Sequence, residues 1–224
     1  MDTLLALFSN VDWYEIWVAI GDTLIMLSVS LAFTVLLGLP LGVLMFLTSP
    51  HQLRENQPLY ATVALIVNLL RALPFIILLI VMMPVTEIIT GTTLGVLGTL
   101  PPLIAGATPF FARLVETALR EVDKGIIEAT QAMGATTRQI IVKALLPEAR
   151  PGILAAITVT AIALVSFTAM AGAVGAGGLG DLAIRYGYQR FQNDVMFVTV
   201  VLLLVLVQIL QTIGDKLVAH YTHR

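Results

Sequence analysis

The 224 residues contain no cysteine. That excludes disulfides, thiol catalysis and cysteine-based metal sites, and it leaves the compartment open. Charge is scarce as well. Asp, Glu, Lys and Arg make up 12% of the chain, about half of what a soluble domain carries. The twelve Lys and Arg are dispersed without a basic stripe, which argues against nucleic-acid binding. His51, His220 and His223 fall in loops or tail and converge on neither a metal nor a nucleophile. There is no His-Glu-x-x-His pattern and no Gly-Lys-Ser/Thr phosphate loop, so the chain itself holds no catalytic residues and no metal site. Asp2 and the lack of a basic leader do not fit a conventional signal peptide.

What is abundant is apolar: 58% of residues, in runs near or beyond the ~20 needed to cross a bilayer. Five spans are expected, at about 23–47, 60–85, 94–111, 152–171 and 195–213, in one transmembrane domain covering 1–224. Only helices or closed barrels satisfy the backbone in lipid, and these lengths are helical. The fold class is therefore an all-α membrane protein. Gly38, Pro40 and Gly42 suggest a bend in the first span. Arg71 and Pro74 interrupt the second. Pro101, Pro102 and Pro109 make the third breakable. Asn193 or Asp194 suits the cap of the fifth. Trp13, Tyr14 and Trp17, among Asp2, Asp12 and Glu15, suit an interfacial segment before the first span. No internal repeat is visible.

Orientation follows from the cations. With the N-terminus outside, the outer segments hold two, Arg185 and Arg190. The inner segments hold nine: Arg54, Arg113, Arg120, Lys124, Arg138, Lys143, Arg150, Lys216 and Arg224. Arg71 is left within the membrane. This asymmetry places the C-terminus, and the polar interval at about 121–150, in the cytoplasm. Arg113, Glu116 and Arg120 read as a solvated helix end with local ion pairs.

Within that interval, Glu128–Pro147 is amphipathic. Ile126, Ile127, Thr130 and Met133 share one helical face, and Gly134 permits a corner. Thr136 or Thr137 can cap a second short helix with Ile140, Ile141, Ala144 and Leu145 inward, which Pro147 ends. Helix, glycine corner, helix is a unit suited to docking in a groove on a soluble partner. The plainer reading is an amphipathic surface helix.

The segment resembles the EAA loop of the permease subunits of bacterial ABC importers. That loop has Glu-Ala-Ala, a Gly after three more residues, and an Ile-x-Leu-Pro ending. Here stand Glu128-Ala129-Thr130, Gly134 and Leu146-Pro147, with departures at Thr130 and Ala144. Leu70–Leu79, Gly106–Phe110 and Gly172–Gly180 are similar to the methionine importer permease family, and the likeness extends from about Gly21 to Arg224. It implies a type I importer permease with five transmembrane helices and a cytoplasmic coupling-helix loop, working by alternating access. ATP and Mg would sit on a separate partner, with no cofactor on this chain. The implied partners are a second copy of the chain, two cytoplasmic ATP-binding subunits, an extracytoplasmic methionine-binding protein and membrane lipid. The implied location is a bacterial inner membrane. The coupling residues it implies are Glu128, Ala129, Thr130, Gly134, Ala135, Leu146 and Pro147.

Pathway residues are more open. Gly175–Gly180 spells GxGxxG, but it follows a span rather than a strand, so it is not a dinucleotide site. Gly172 and Gly175 belong either to irregular backbone beside a path or to a flexible outer turn. Met170 is either a gate, as the resemblance implies, or packing. Arg71 either pairs with a carboxylate or free backbone, or meets a substrate carboxylate. Pro109 lies in the breakable third span, which could line the path. The alternatives are an EAA-loop permease for another small solute, and a secondary transporter. Against the latter, no span carries the paired acids of an ion relay.

Overall fold

The computed structural model describes residues 11–222, and among these it contains helices and no strand. The long helices are α1 (Trp13–Thr48), α4 (Gly95–Arg120), α8 (Arg150–Ala171) and α10 (Asn193–Thr222). Each is long and apolar enough to cross a membrane. The pair α2 (Gln57–Ala72) and α3 (Phe75–Thr90) passes the same test together, as one broken span or a re-entrant pair. The break falls at Leu73-Pro74, with Pro74 capping α3. It follows from the steric bias of a residue preceding proline against the helical region. Four short helices remain: α5 (Lys124–Ala132), α6 (Thr137–Ile140), α7 (Leu146–Glu148) and α9 (Gly178–Leu182).

The aromatic start is no separate interfacial segment. Asp12 Oδ1 accepts from the amides of Tyr14 and Glu15, at 2.9 and 3.3 Å, and begins α1 directly. Trp13, Tyr14 and Trp17 are exposed on its first turns. The portion of that call on residues 1–10 lies outside the described residues. At 36 residues α1 is about 54 Å long, well beyond a ~30 Å hydrocarbon layer. At the other end of the chain, α10 begins at Asn193, with the Gln192 carbonyl accepting from Met196. Asn193 and Asp194 therefore lie in its first turn rather than at its cap.

The chain forms two compact units. Among the described residues, one comprises 11–33, 73–107 and 161–210. Its core is Met26, Leu27, Phe75, Leu79, Leu103, Ala107, Leu164 and Val165, with Phe75 stacked on Phe167 at 4.5 Å. Gly175, Gly177 and Gly178 all have φ near +80°, which side chains rarely adopt. The glycine run is packed rather than slack. Leu179 N donates to the buried Thr23 Oγ1 at 2.9 Å, and Gly95 N donates to Gly175 O at 3.0 Å. A Cβ on Gly180 would lie 2.4 Å from the Ala169 Cα. Beyond α9, Arg185 and Arg190 flank the Tyr186 ring at 5.0 and 4.5 Å. The Tyr186 hydroxyl donates to Glu15 Oε1 at 3.0 Å. That bond, then burial, raises the phenol above its ordinary range, with the two arginines pulling the other way.

The other unit comprises, among the described residues, 34–72, 108–160 and 211–222. Gly38 and Gly42 are packing residues there. A Cβ on Gly42 would stand 2.6 Å from the Ala112 carbonyl, and one on Gly38 would stand 2.7 Å from the Phe111 ring. Small residues four apart let α1 and α4 approach closely. Both helices run on through their prolines, Pro40 in α1 and Pro101, Pro102 and Pro109 in α4. The expected breakable third span is one continuous helix. Its close-packed neighbours hold a backbone that proline alone would loosen.

Candidate functional site

The segment from Asp123 to Ala149 is built on the second unit's core. Asp123 Oδ1 accepts from Gly125 N at 2.7 Å and caps α5. Ile127 turns inward, while Glu128, Ala129, Gln131 and Met133 are exposed. Met133, placed by periodicity on the inner face, is 77% exposed, because α5 ends at Ala132. Thr130 folds its hydroxyl onto the carbonyls of Ile126 and Ile127, at 2.9 and 2.8 Å. A threonine in place of the pattern's alanine is thereby satisfied within its own helix.

Gly134 makes the corner with φ +78°. Nothing lies within 4 Å of where its Cβ would be, so the demand is on backbone conformation and not on space. Ala135 N donates back to the Thr130 carbonyl at 3.1 Å. Thr136 then caps α6 in a reciprocal box with Gln139. Thr136 N donates to Gln139 Oε1 at 2.8 Å, and Gln139 N donates to Thr136 Oγ1 at 3.4 Å. Ile140 and Leu145 are buried in the same core as Phe46, Leu119 and Ile127.

Pro147 does not end this helix. A π turn spans Ile141–Leu145, with Leu146 N donating to Ile141 O. Pro147 sits in the first turn of α7, and only the turn residue Ala149 separates α7 from α8. The wider turn shifts the hydrogen-bond ladder where proline supplies no N–H. The result is a compact corner with a buried face and a mixed outer face. Glu128, Met133, Arg138, Val142 and Lys143 are exposed on it. Glu128 makes no hydrogen bond or ion pair among the described residues. It lines a cavity of about 240 Å³ with His51, Lys124 and Gln131. An exposed methionine and valine among unpaired charges form a surface that can seat in a partner's groove.

The remaining candidates lie apart in sequence and in unit. Met170 is half-exposed at the end of α8. Gly172 is buried directly after it, where a Cβ would be 2.3 Å from Asp181 N. Pro109 is buried within α4. Arg71 is exposed in the last turn of α2, with no ion pair to any described residue. The carboxylate partner sought for it is not found among the described residues.

Two features escaped the periodicity argument. One is the Thr23 latch on the glycine run. The other is Glu116, the one charged residue buried among those described. Its carboxylate accepts from Arg113 Nη1, from Arg120 Nη2 at 2.7 Å and from the Tyr60 hydroxyl at 3.1 Å. The expected local ion pairs are present, but they close on a buried carboxylate rather than at a solvated helix end. Spacing of three and four looks the same on either kind of face. The cue that could have found it is Tyr60, an aromatic with a polar tip on a facing helix.

Residues 35–222 match the family described as binding-protein-dependent transport system inner membrane component. The chain is 51% identical over 206 residues to the probable D-methionine transport system permease protein MetI of Vibrio cholerae, covering 92% of each. It is 50% identical over 208 residues to the methionine import system permease protein MetP of Bacillus subtilis, covering 93% and 94%. A solved structure described as an inward-facing conformation of the MetNI methionine ABC transporter superposes with TM-score 0.92 at 48% identity. That match covers 93% of this chain and 97% of the other. An amino acid ABC transporter crystallised with histidines shares the fold alone, with TM-score 0.75 at 16% identity. The helix–glycine corner–helix unit, the spans around it and these likenesses agree: the chain belongs to the family of binding-protein-dependent transport system inner membrane components.

Proposed function

We propose that this chain forms half of the translocation pathway of an ATP-driven importer for methionine, D- or L- or both. The observation that carries the coupling is the corner at Gly134. It fixes two short helices on one core while leaving Glu128, Met133 and Val142 exposed. The substrate rests on likeness to permeases named for methionine import. Glu128, Ala129, Thr130, Gly134, Ala135, Leu146 and Pro147 carry the docking of a cytoplasmic ATP-binding subunit. One such corner per chain, and no internal repeat, calls for a second copy to meet two ATP-binding subunits across a two-fold axis. The N-terminus faces outward, where an extracytoplasmic binding protein delivers substrate, and the C-terminus faces the cytoplasm.

The mechanism is alternating access. ATP binding closes the partner subunits and draws the two corners together. The spans open outward, and hydrolysis on the partner resets them. Along the path, Met170, Gly172, Gly175, Pro109 and Arg71 supply an apolar thioether, close-packed backbone and a cation with no ion pair among the described residues. A flexible thioether can seal by packing and reopen.

The test is methionine uptake into vesicles holding this chain with its ATP-binding subunits and binding protein. Uptake requires ATP, and it is lost in Glu128→Arg and Gly134→Trp although both variants insert and assemble. Uptake independent of ATP, or persisting in both variants, overturns the coupling. ATP hydrolysis stimulated by another small solute, with no methionine uptake, discards the substrate alone.

A further inference from the structure

The junction around Glu116 has a place in the coupling proposed above. Its carboxylate is 2% exposed and binds two arginines from its own helix, three residues before and four after it. Its remaining partner, the Tyr60 hydroxyl, comes from another helix, and Arg113 and Arg120 approach the same hydroxyl at 3.4 Å. Tyr60 lies in the first turn of α2, whose start is capped by Asn56 Oδ1 accepting from Leu59 N at 3.1 Å. The connection from α1 is tied down in turn. Arg54 N donates to Leu47 O at 3.1 Å, and Asn56 N donates to Thr48 O at 3.0 Å. Glu116 therefore joins the beginning of α2 to the last turns of α4.

Helix α5 follows α4 after only Glu121–Asp123, and Leu119, Val122 and Ile127 share one core. Between α5 and the start of α2 there is a cavity of about 600 Å³. Tyr60, Arg120, Lys124 and Ile127 are among the residues that line it. Movement of α5 is thus poorly placed to push α2 directly. Helix α5 is joined to α2 through α4 and the Glu116 junction, and through Leu53 of the α1–α2 connection, which packs on the same core as Ile127.

A buried ion pair adds little net stability over an apolar packing of the same shape, though it fixes register well. Removing the carboxylate would also leave Arg113 and Arg120 facing each other uncompensated. We infer that Glu116 is a positioning residue that makes α2 and α4 move as one body when the partner displaces the Glu128–Pro147 corner. This rests on the coupling reading given above.

The test measures ATP hydrolysis and methionine uptake in the same vesicles, with the complete complex. Variants Glu116→Gln and Tyr60→Phe are compared with wild type. Glu116→Gln keeps hydrolysis near wild type and lowers uptake per ATP by about tenfold, within the range of a typical coupling energy. Tyr60→Phe retains the carboxylate and both arginines and severs only their contacts with the α2 hydroxyl. It moves the same ratio in the same direction by a smaller factor. Should Glu116→Gln fail to assemble, the Tyr60→Phe ratio decides alone. Hydrolysis and uptake falling in proportion would make the junction merely structural and overturn the proposal. An unchanged ratio in both variants would overturn it too. If wild type itself shows no ATP-dependent uptake, the coupling reading fails first, and this one with it.

Discussion

Thr23 binds the glycine run from the opposite end of the sequence. Its Oγ1 accepts from Leu179 N and donates to the Ala19 carbonyl at 2.9 Å. Thr23→Val keeps the shape and strands a buried amide, a loss of about 1–3 kcal/mol. The expected result is a lower unfolding temperature in detergent and faster amide exchange at Leu179. Unaltered exchange there would show that the hydroxyl is dispensable. At this scale the sequence was only partly legible. Gly134 and its corner could be anticipated, because a glycine between two amphipathic stretches has few other uses. Thr23 could not, since its partner is 156 residues away. Glu116 was misplaced for the same reason: Tyr60 is 56 residues distant and carries no periodic signal.

Helices were legible from the length of the apolar runs, while their continuity was not. Prolines and glycines were read as bends in α1 and α4. Yet Gly38 and Gly42 serve contact with α4, and both helices stay intact. A sequence reports what loosens a helix, but not the neighbour that braces it. The glycine contact makes a sharp prediction. Gly42→Leu drives a side chain into the Ala112 carbonyl and the Val115 side chain. Overpacking of this kind costs about 1–3 kcal/mol or more. The variant should lose thermal stability in detergent, whereas Gly21→Leu, with nothing within 4 Å of its Cβ, should not. Equal stability of the two would refute close packing of α1 on α4.

On the molecular scale, a single chain leaves much apolar surface uncovered. In the most apolar window of α10 only 6% is buried, and Ile88, Leu94 and Phe197 are exposed. Lipid and a second copy are the natural occupants of such surface. The missing cysteines help to establish orientation, because any introduced thiol is unique. Gln131→Cys and Gln189→Cys both occupy exposed positions. In intact cells, a membrane-impermeant thiol reagent should label Gln189→Cys and spare Gln131→Cys. The opposite pattern would invert the proposed topology and remove the corner from the cytoplasm.

The π turn at Ile141–Leu145 acts as a phase shifter between two stretches of helix. Each α-helical residue advances the side chains by about 100° around the axis, and the turn accommodates one residue more than an α-helical turn of the same arc. Deleting Val142, whose side chain is exposed, would let the stretch close into plain α-helix. The arc would be the same with one residue fewer, so the side chains before the deletion would keep their bearing relative to α8. Tightening the turn into α-helix with every residue kept would instead swing the outer face of the corner by about 100°, although no residue on it had been altered. In this segment, the number of residues and the width of the turn together aim the proposed docking surface.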